Sequence, residues 1–185
     1  GISDQFSRPW PDLSALARGL EIAERVGNAE EVGGCLLNLG AVEHERRNFE
    51  AAASYHRRAM EVFERIDHAT GRTQATANLA WALAEGGEHE EALAWCDRAL
   101  ELARTFDHAA SVADVTDTIA SIHLAKGEYA DAERRAEEAA ALYLAMSAIP
   151  QAARSLDIAA EACARWGEEE RARAIRQRAR SLVAV

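Results

Sequence analysis

Gly87-Glu88-His89-Glu90-Glu91-Ala92 and, forty residues on, Gly127-Glu128-Tyr129-Ala130-Asp131-Ala132 decide how this chain is read. The same pattern recurs forty residues earlier, as Arg47-Asn48-Phe49-Glu50-Ala51-Ala52. It recurs again later, as Gly167-Glu168-Glu169-Glu170-Arg171-Ala172. A fixed period of this length is the mark of a repeat array, in which each unit buries its apolar face only by stacking on its neighbours.

Further columns keep the same phase. Ala59, Ala99, Ala139 and Ala179 follow seven residues behind the alanines just quoted. Gly40, Ala80, Ala120 and Ala160 lie twelve residues ahead of them. Alanine matches are cheap in an alanine-rich chain, so other residue types carry the weight. Asn38 and Asn78 share a column, Asp67-His68 repeats as Asp107-His108, and Val26, Ile66, Phe106 and Met146 form an apolar column.

Each column has a physical reason. A glycine between two helical patterns ends the first helix in a left-handed conformation at little steric cost. Arg47 breaks the glycine column, and Asn48 beside it is the residue expected to take the left-handed conformation there. Small residues mark where two helices cross closely. Leu93, Cys96, Ala99, Leu100 and Ala103 recur at helical spacing, as one buried helix face requires. The columns therefore predict four pairs of helices. Helix A of each pair runs over 29–46, 69–86, 109–126 and 149–165, and helix B over 49–66, 89–105, 129–146 and 168–183. Asn28 with Glu31 forms a capping box at the first helix A, and Pro150 falls in a first turn, where proline is tolerated. Residues 19–26 align with 59–66, so a helix B precedes the array without its helix A.

The expected fold is all-α: a right-handed superhelical solenoid of antiparallel helix pairs, about nine helices in all. Residues 1–11 read as an irregular leader, with Trp10 between Pro9 and Pro11. A half repeat over 12–27 and repeats over 28–67, 68–107, 108–147 and 148–185 follow. The missing helix A leads us to expect a fragment of a longer protein.

Composition agrees. Hydrophobic residues make up 49% of the 185 and charged residues 28%, enough for a core and a solvated surface. The formal net charge of −10 argues against duplex DNA or an anionic membrane as partner, since phosphate binding needs a basic face. Residues 151–185 nevertheless hold seven arginines against five acids. Five of those arginines, Arg171, Arg173, Arg176, Arg178 and Arg180, crowd the last helix as a polar end to the stack. Three scattered cysteines, Cys35, Cys96 and Cys163, read as reduced thiols of a cytoplasmic protein. No apolar run approaches a membrane span.

These columns resemble the tetratricopeptide repeat. Leu39-Gly40, Leu79-Ala80, Ile119-Ala120 and Ala159-Ala160 match the family's large-then-small pair in helix A. Gly127 and Tyr129 match its turn best, and the helix B alanines match in all four repeats. The family's usual repeat has about 34 residues; the longer unit here is similar to those of kinesin light chains and of bacterial regulators with tetratricopeptide sensor arms. HEAT and armadillo repeats reach similar lengths, but the turn glycines and paired alanines favour the tetratricopeptide reading.

The resemblance implies a concave groove lined by helices A. By the family's groove positions, the first repeat offers Asn38, His44 and Glu45, and the second Gln74, Asn78, Trp81 and Glu85. The third offers Asp114, Asp117, Thr118 and Ser121, and the fourth Arg154, Asp157, Glu161 and Arg165. In the family an Asn in the Asn38 and Asn78 column holds the backbone of an extended peptide. Its amide both donates and accepts, which suits that task; alternatively it pins a neighbouring helix. The groove acids would prefer a ligand with Arg or Lys, or they form a solvated acidic face. Trp81 is either an anchor for an apolar side chain or a space filler between helices. Trp95 and Trp166 read as packing residues.

Catalytic motifs are missing. His44-Glu45 opens like a zinc-protease motif, but Asn48 stands where the second histidine is needed. No phosphate-binding glycine loop and no nucleophile elbow occur. His68 and His108 read as capping or surface residues. The expectation is a non-enzymatic scaffold without cofactor or metal, binding a protein or peptide, a basic one if the groove acids meet it, as the sensor or interaction arm of a larger bacterial regulatory protein. A self-assembling homo-oligomeric module and a small-molecule sensor are the alternatives.

Overall fold

The structure, a computed structural model, describes residues 13–183. The leader expected over 1–11, with Trp10, and the helix start at Asp12 lie outside the described residues. Nine helices and no strand occur among the described residues: α1 Leu13–Val26, α2 Ala29–Glu45, α3 Phe49–Arg65, α4 Ala69–Glu85, α5 His89–Thr105, α6 Ala109–Lys126, α7 Tyr129–Ala145, α8 Ile149–Trp166 and α9 Glu169–Val183. The even-numbered helices are helices A. Predicted and observed ends differ by one residue at most.

The turns explain this regularity. Residues 27, 47, 67, 87, 107, 127, 147 and 167 all have positive φ, one every twenty residues. At each, the N–H one residue beyond donates to a carbonyl five residues back, at 2.7–3.0 Å, as in Asn48 to Glu43 and Glu128 to His123. This is the Schellman closure, which satisfies carbonyls that a helix end would otherwise leave bare. Glycine fills four of the eight sites. Asp67, Asp107, Ser147 and Arg47 fill the rest. The expectation for Asn48 is corrected: Arg47 itself takes φ +62°, and Asn48, at φ −92°, is the N-cap residue of α3. Its Nδ2 donates to Glu43 across the turn at 3.0 Å.

The caps agree with the sequence reading in part: Asn28 caps α2, but its own N–H donates to the Ala23 carbonyl at 3.0 Å and not to Glu31, so the reciprocal half of the capping box is not formed. Asn28 accepts from the Glu31 N–H at 3.2 Å. His68 Nδ1 accepts from the Gly71 N–H at 3.0 Å, and His108 Nδ1 lies 2.8 Å from Ser111 Oγ.

Each helix packs on the next, and each helix A also packs on the following helix A. Ala52, Ala92, Ala132 and Ala172 are completely buried, as are Ala80, Ala120 and Ala160. Alanine gives up little side-chain entropy and lets helices approach closely. Two sites depart from it by pairing large with absent. An added Cβ on Gly40 would stand 2.4 Å from the His56 ring, and one on Gly33 or Gly71 would stand 2.5 Å from the Phe63 ring. The missing side chain at Gly40 thus makes room for a buried ring on α3. Where Ala80 and Ala120 stand, the facing residues are the smaller Cys96 and Ala136. The apolar column Val26, Ile66, Phe106 and Met146 is exposed along one edge instead of joining the core.

Burial pushes the Cys96 thiol up to about 12 and the Cys163 thiol up to about 11. All three cysteines are free, and these two are poor nucleophiles at neutral pH. No helix among the described residues is long and apolar enough to cross a membrane.

Candidate functional site in the helix A groove

Helices α4, α6 and α8 lie side by side and wall a cavity of about 410 Å³. Eight of the predicted groove residues line it: Asn78, Trp81, Glu85, Asp114, Asp117, Thr118, Ser121 and Arg154. Helical spacing places them there, since residues three or four apart share a face.

Asp114 and Asp117 set its electrostatics. Tyr143 Oη, from α7, donates to Asp114 Oδ1 at 2.6 Å. The Ser155 hydroxyl donates to Asp117 Oδ1. Burial raises the Asp117 pKa, and the Ser155 hydrogen bond and the Arg154 charge oppose that rise. Burial and the hydrogen bond to Asp114 hold the Tyr143 phenol protonated. The Thr118 hydroxyl donates to the Asp114 carbonyl at 2.9 Å and so closes on its own helix. The cavity thus combines an aromatic wall, an amide, three carboxylates and one guanidinium.

Other predicted residues fall elsewhere. His44 is corrected: it is buried, with 8% of its surface accessible, and its ring lies beneath Trp81 instead of facing the groove. Burial lowers its pKa, against the raising influence of Glu85 and Glu45. Asn38, Gln74, Glu45 and Asp157 are exposed but do not line the cavity. Glu161 pairs with Arg165 at 2.9 Å and approaches Arg176 at 3.8 Å. Trp166, expected to pack, is half exposed. No cluster able to hold a metal ion occurs among the described residues.

Family models of the tetratricopeptide repeat match residues 32–66 and 72–145. The chain belongs to the tetratricopeptide repeat family. Solved structures share its fold. A Rap protein complexed with competence and sporulation factor superposes with a TM-score of 0.84 at 21% identity, over 93% of this chain and 48% of that one. A Podosopora anserina kinesin light chain with nearly identical TPR-like repeats gives 0.67 at 16%, over 93% and 85%. The Rap conjugation gene regulator of plasmid pLS20, in complex with a Phr peptide, gives 0.70 at 13%, over 88% and 51%. The chain thus spans about half the length of the two Rap structures. No curated protein matches it in sequence.

The tetratricopeptide register also accounts for what sequence reading missed. Tyr143 belongs to a helix B, the outer layer of such an array, yet its hydroxyl reaches the groove. Its column reads Phe63, Ala103, Tyr143. An aromatic beside the small Ala113, carrying one polar atom that must find a partner when buried, was the available signal.

Proposed function

We propose that this chain is a peptide-binding scaffold, the sensor or interaction arm of a larger bacterial regulatory protein, and that it acts without catalysis. The observation that carries the reading is the α4–α6–α8 cavity, where Asn78 and Trp81 stand opposite Asp114 and Asp117. An amide that donates and accepts suits the backbone of an extended peptide. A half-exposed indole beside carboxylates suits a cationic side chain, which gains from both the ring face and the charge. The ligand is therefore a short extended peptide bearing Arg or Lys. The Phr peptide complex of the pLS20 Rap regulator supports a peptide ligand for this fold.

The test is binding of an array of basic, acidic and apolar peptides, measured by fluorescence polarisation. Basic peptides are expected to bind. Asn78→Ala should weaken them by roughly tenfold, the loss of one or two hydrogen bonds. Binding that ignores both Asn78→Ala and Asp117→Asn in folded variants would overturn the assignment. The cavity volume also suits a small molecule, a reading favoured if metabolites stabilise the protein thermally and no peptide does.

A further inference from the structure

A second cavity, of about 300 Å³, opens on the outer face between α3 and α5, with Arg72 of α4 at its base. Met60, Leu102, Trp95 and Phe106 give it apolar walls. Nothing in the groove reading uses it.

Arg72 is the residue out of place. Its column reads Val32, Arg72, Val112, Ala152, so a cation stands where the other repeats put an apolar side chain. It is half-buried, and its Nε is sealed from solvent with no hydrogen-bond partner among the described residues. Leaving a buried donor unpaired costs stability unless something compensates. Local rules are broken in this way mostly where a site is built.

The geometry shows how that cation is held. The Arg72 guanidinium carbon lies 5.7 Å from the Phe106 ring centroid, and that of Arg98 lies 4.9 Å from the Trp95 centroid. Stacking occupies the faces of these planar groups and leaves their N–H edges to donate. Neither arginine has a carboxylate oxygen within ion-pair distance among the described residues, whereas Arg57 on the same side of the array pairs with Glu91 at 3.3 Å. Glu64 and Glu101 also line the cavity, so its four formal charges cancel. A dianion would meet those carboxylates, and an apolar cation would meet the arginines.

We propose that this outer cavity binds a small monocarboxylate with an apolar body, its charge on the N–H edges of Arg72 and Arg98 and its body against Trp95, Leu102 and Met60. The site is independent of the groove, since the two cavities share no residue.

The test is a nitrogen-15 NMR titration that follows the Trp95 indole N–H and the Arg72 Nε–H. The probes are hexanoate, benzoate and indole-3-acetate, each beside its primary amide. At least one carboxylate is expected to saturate both signals below about 1 mM, with its amide weaker by roughly tenfold or more, the loss of a charge-assisted hydrogen bond. Arg72→Val restores the residue of positions 32 and 112 and should abolish binding in a folded protein. Arg98→Gln, on the surface, should weaken it, and Glu101→Gln should strengthen it. The Trp81 indole signal should not move. The proposal is overturned if no probe saturates by about 10 mM, tenfold above the expected limit. It is also overturned if an amide binds as tightly as its acid, or if folded Arg72→Val and Arg98→Gln both bind like the parent.

Discussion

The His44 imidazole stacks on the Trp81 indole with ring centroids 3.5 Å apart and planes inclined by 30°. Trp81 presents its other side to the groove, and Phe49 meets His44 edge-on at 5.2 Å. His44 thus shapes the groove from beneath by holding the indole in place. An aromatic stack of this kind contributes about 0.5–1.5 kcal/mol beyond its buried area. His44→Ala is expected to destabilise the protein by about 1–3 kcal/mol, since it removes the stack and opens a cavity. It should also weaken groove ligands while leaving Asn78 and Asp117 in place. Denaturant melts and peptide titrations of the variant check both effects; unchanged affinity would show that Trp81 needs no support.

Gly40 and His56 form a size-matched pair, and the other repeats show the alternative solution with Ala120 facing Ala136. Gly40→Ala normally favours a helix by about 1 kcal/mol. Here the new methyl meets a ring that is only 1% exposed and cannot swing to solvent. The variant is expected to lose about 1–3 kcal/mol through overpacking. Gly40→Ala combined with His56→Ala should be more stable than the sum of the single changes predicts, by about 1 kcal/mol or more. Additive effects in urea melts of the four proteins would refute the pairing.

Mild acid should loosen this array. Burial, with a smaller contribution from His44, lowers the His56 pKa from 6.5 to about 4. The folded state therefore binds this proton less readily than the unfolded chain. The stability tied to His56 is fully present above about pH 6.5 and falls as pH drops toward about 4, by roughly 3 kcal/mol in all. His44, lowered in the same direction, adds to the slope. Stability measured between pH 7.5 and 4.5 should decline in the parent and decline less in the Gly40→Ala/His56→Ala protein.

Tyr143→Phe removes the donor to Asp114 while keeping the ring. A hydrogen bond to a charged acceptor contributes about 1.5–3 kcal/mol, so a loss of that order is expected in thermal or chemical denaturation. The released Asp114 carboxylate should then hold a cationic ligand more tightly. A variant that is destabilised yet binds basic peptides no better would place Asp114 outside the contact surface.

The helices were legible because independent residue types kept one phase: a glycine, a large-small pair and two alanines recur together, and backbone closure at each turn reproduces that spacing in three dimensions. The groove was legible only in part. Helical spacing groups Asn78, Asp114, Asp117 and Arg154, and one cavity brings these four together, since each lies on a helix A face. His44 misled because its position in the column fits the groove while a bulky neighbour one repeat on, Trp81, covers it. Such covering depends on side-chain size across helices, which no single column records. Arg47 misled for a related reason: the turn requires the left-handed conformation at that exact residue, and the closure of the hydrogen-bonded loop outweighs the preference of the side chain.

No contact in the described chain joins the first helices to the last; each helix meets its immediate successor and the helix two places on, through packing between helices A and through ion pairs such as Arg57–Glu91 between helices B. Such a molecule has a low contact order and folds without closing long loops. Its weakness under load has a direction. Tension applied to the two ends peels one pair at a time, and the pairs that remain keep the contacts they had. The array therefore loosens in small steps, and unequally from its two ends: three helices precede α4, whereas the loss of α9 alone uncovers α8, a wall of the groove.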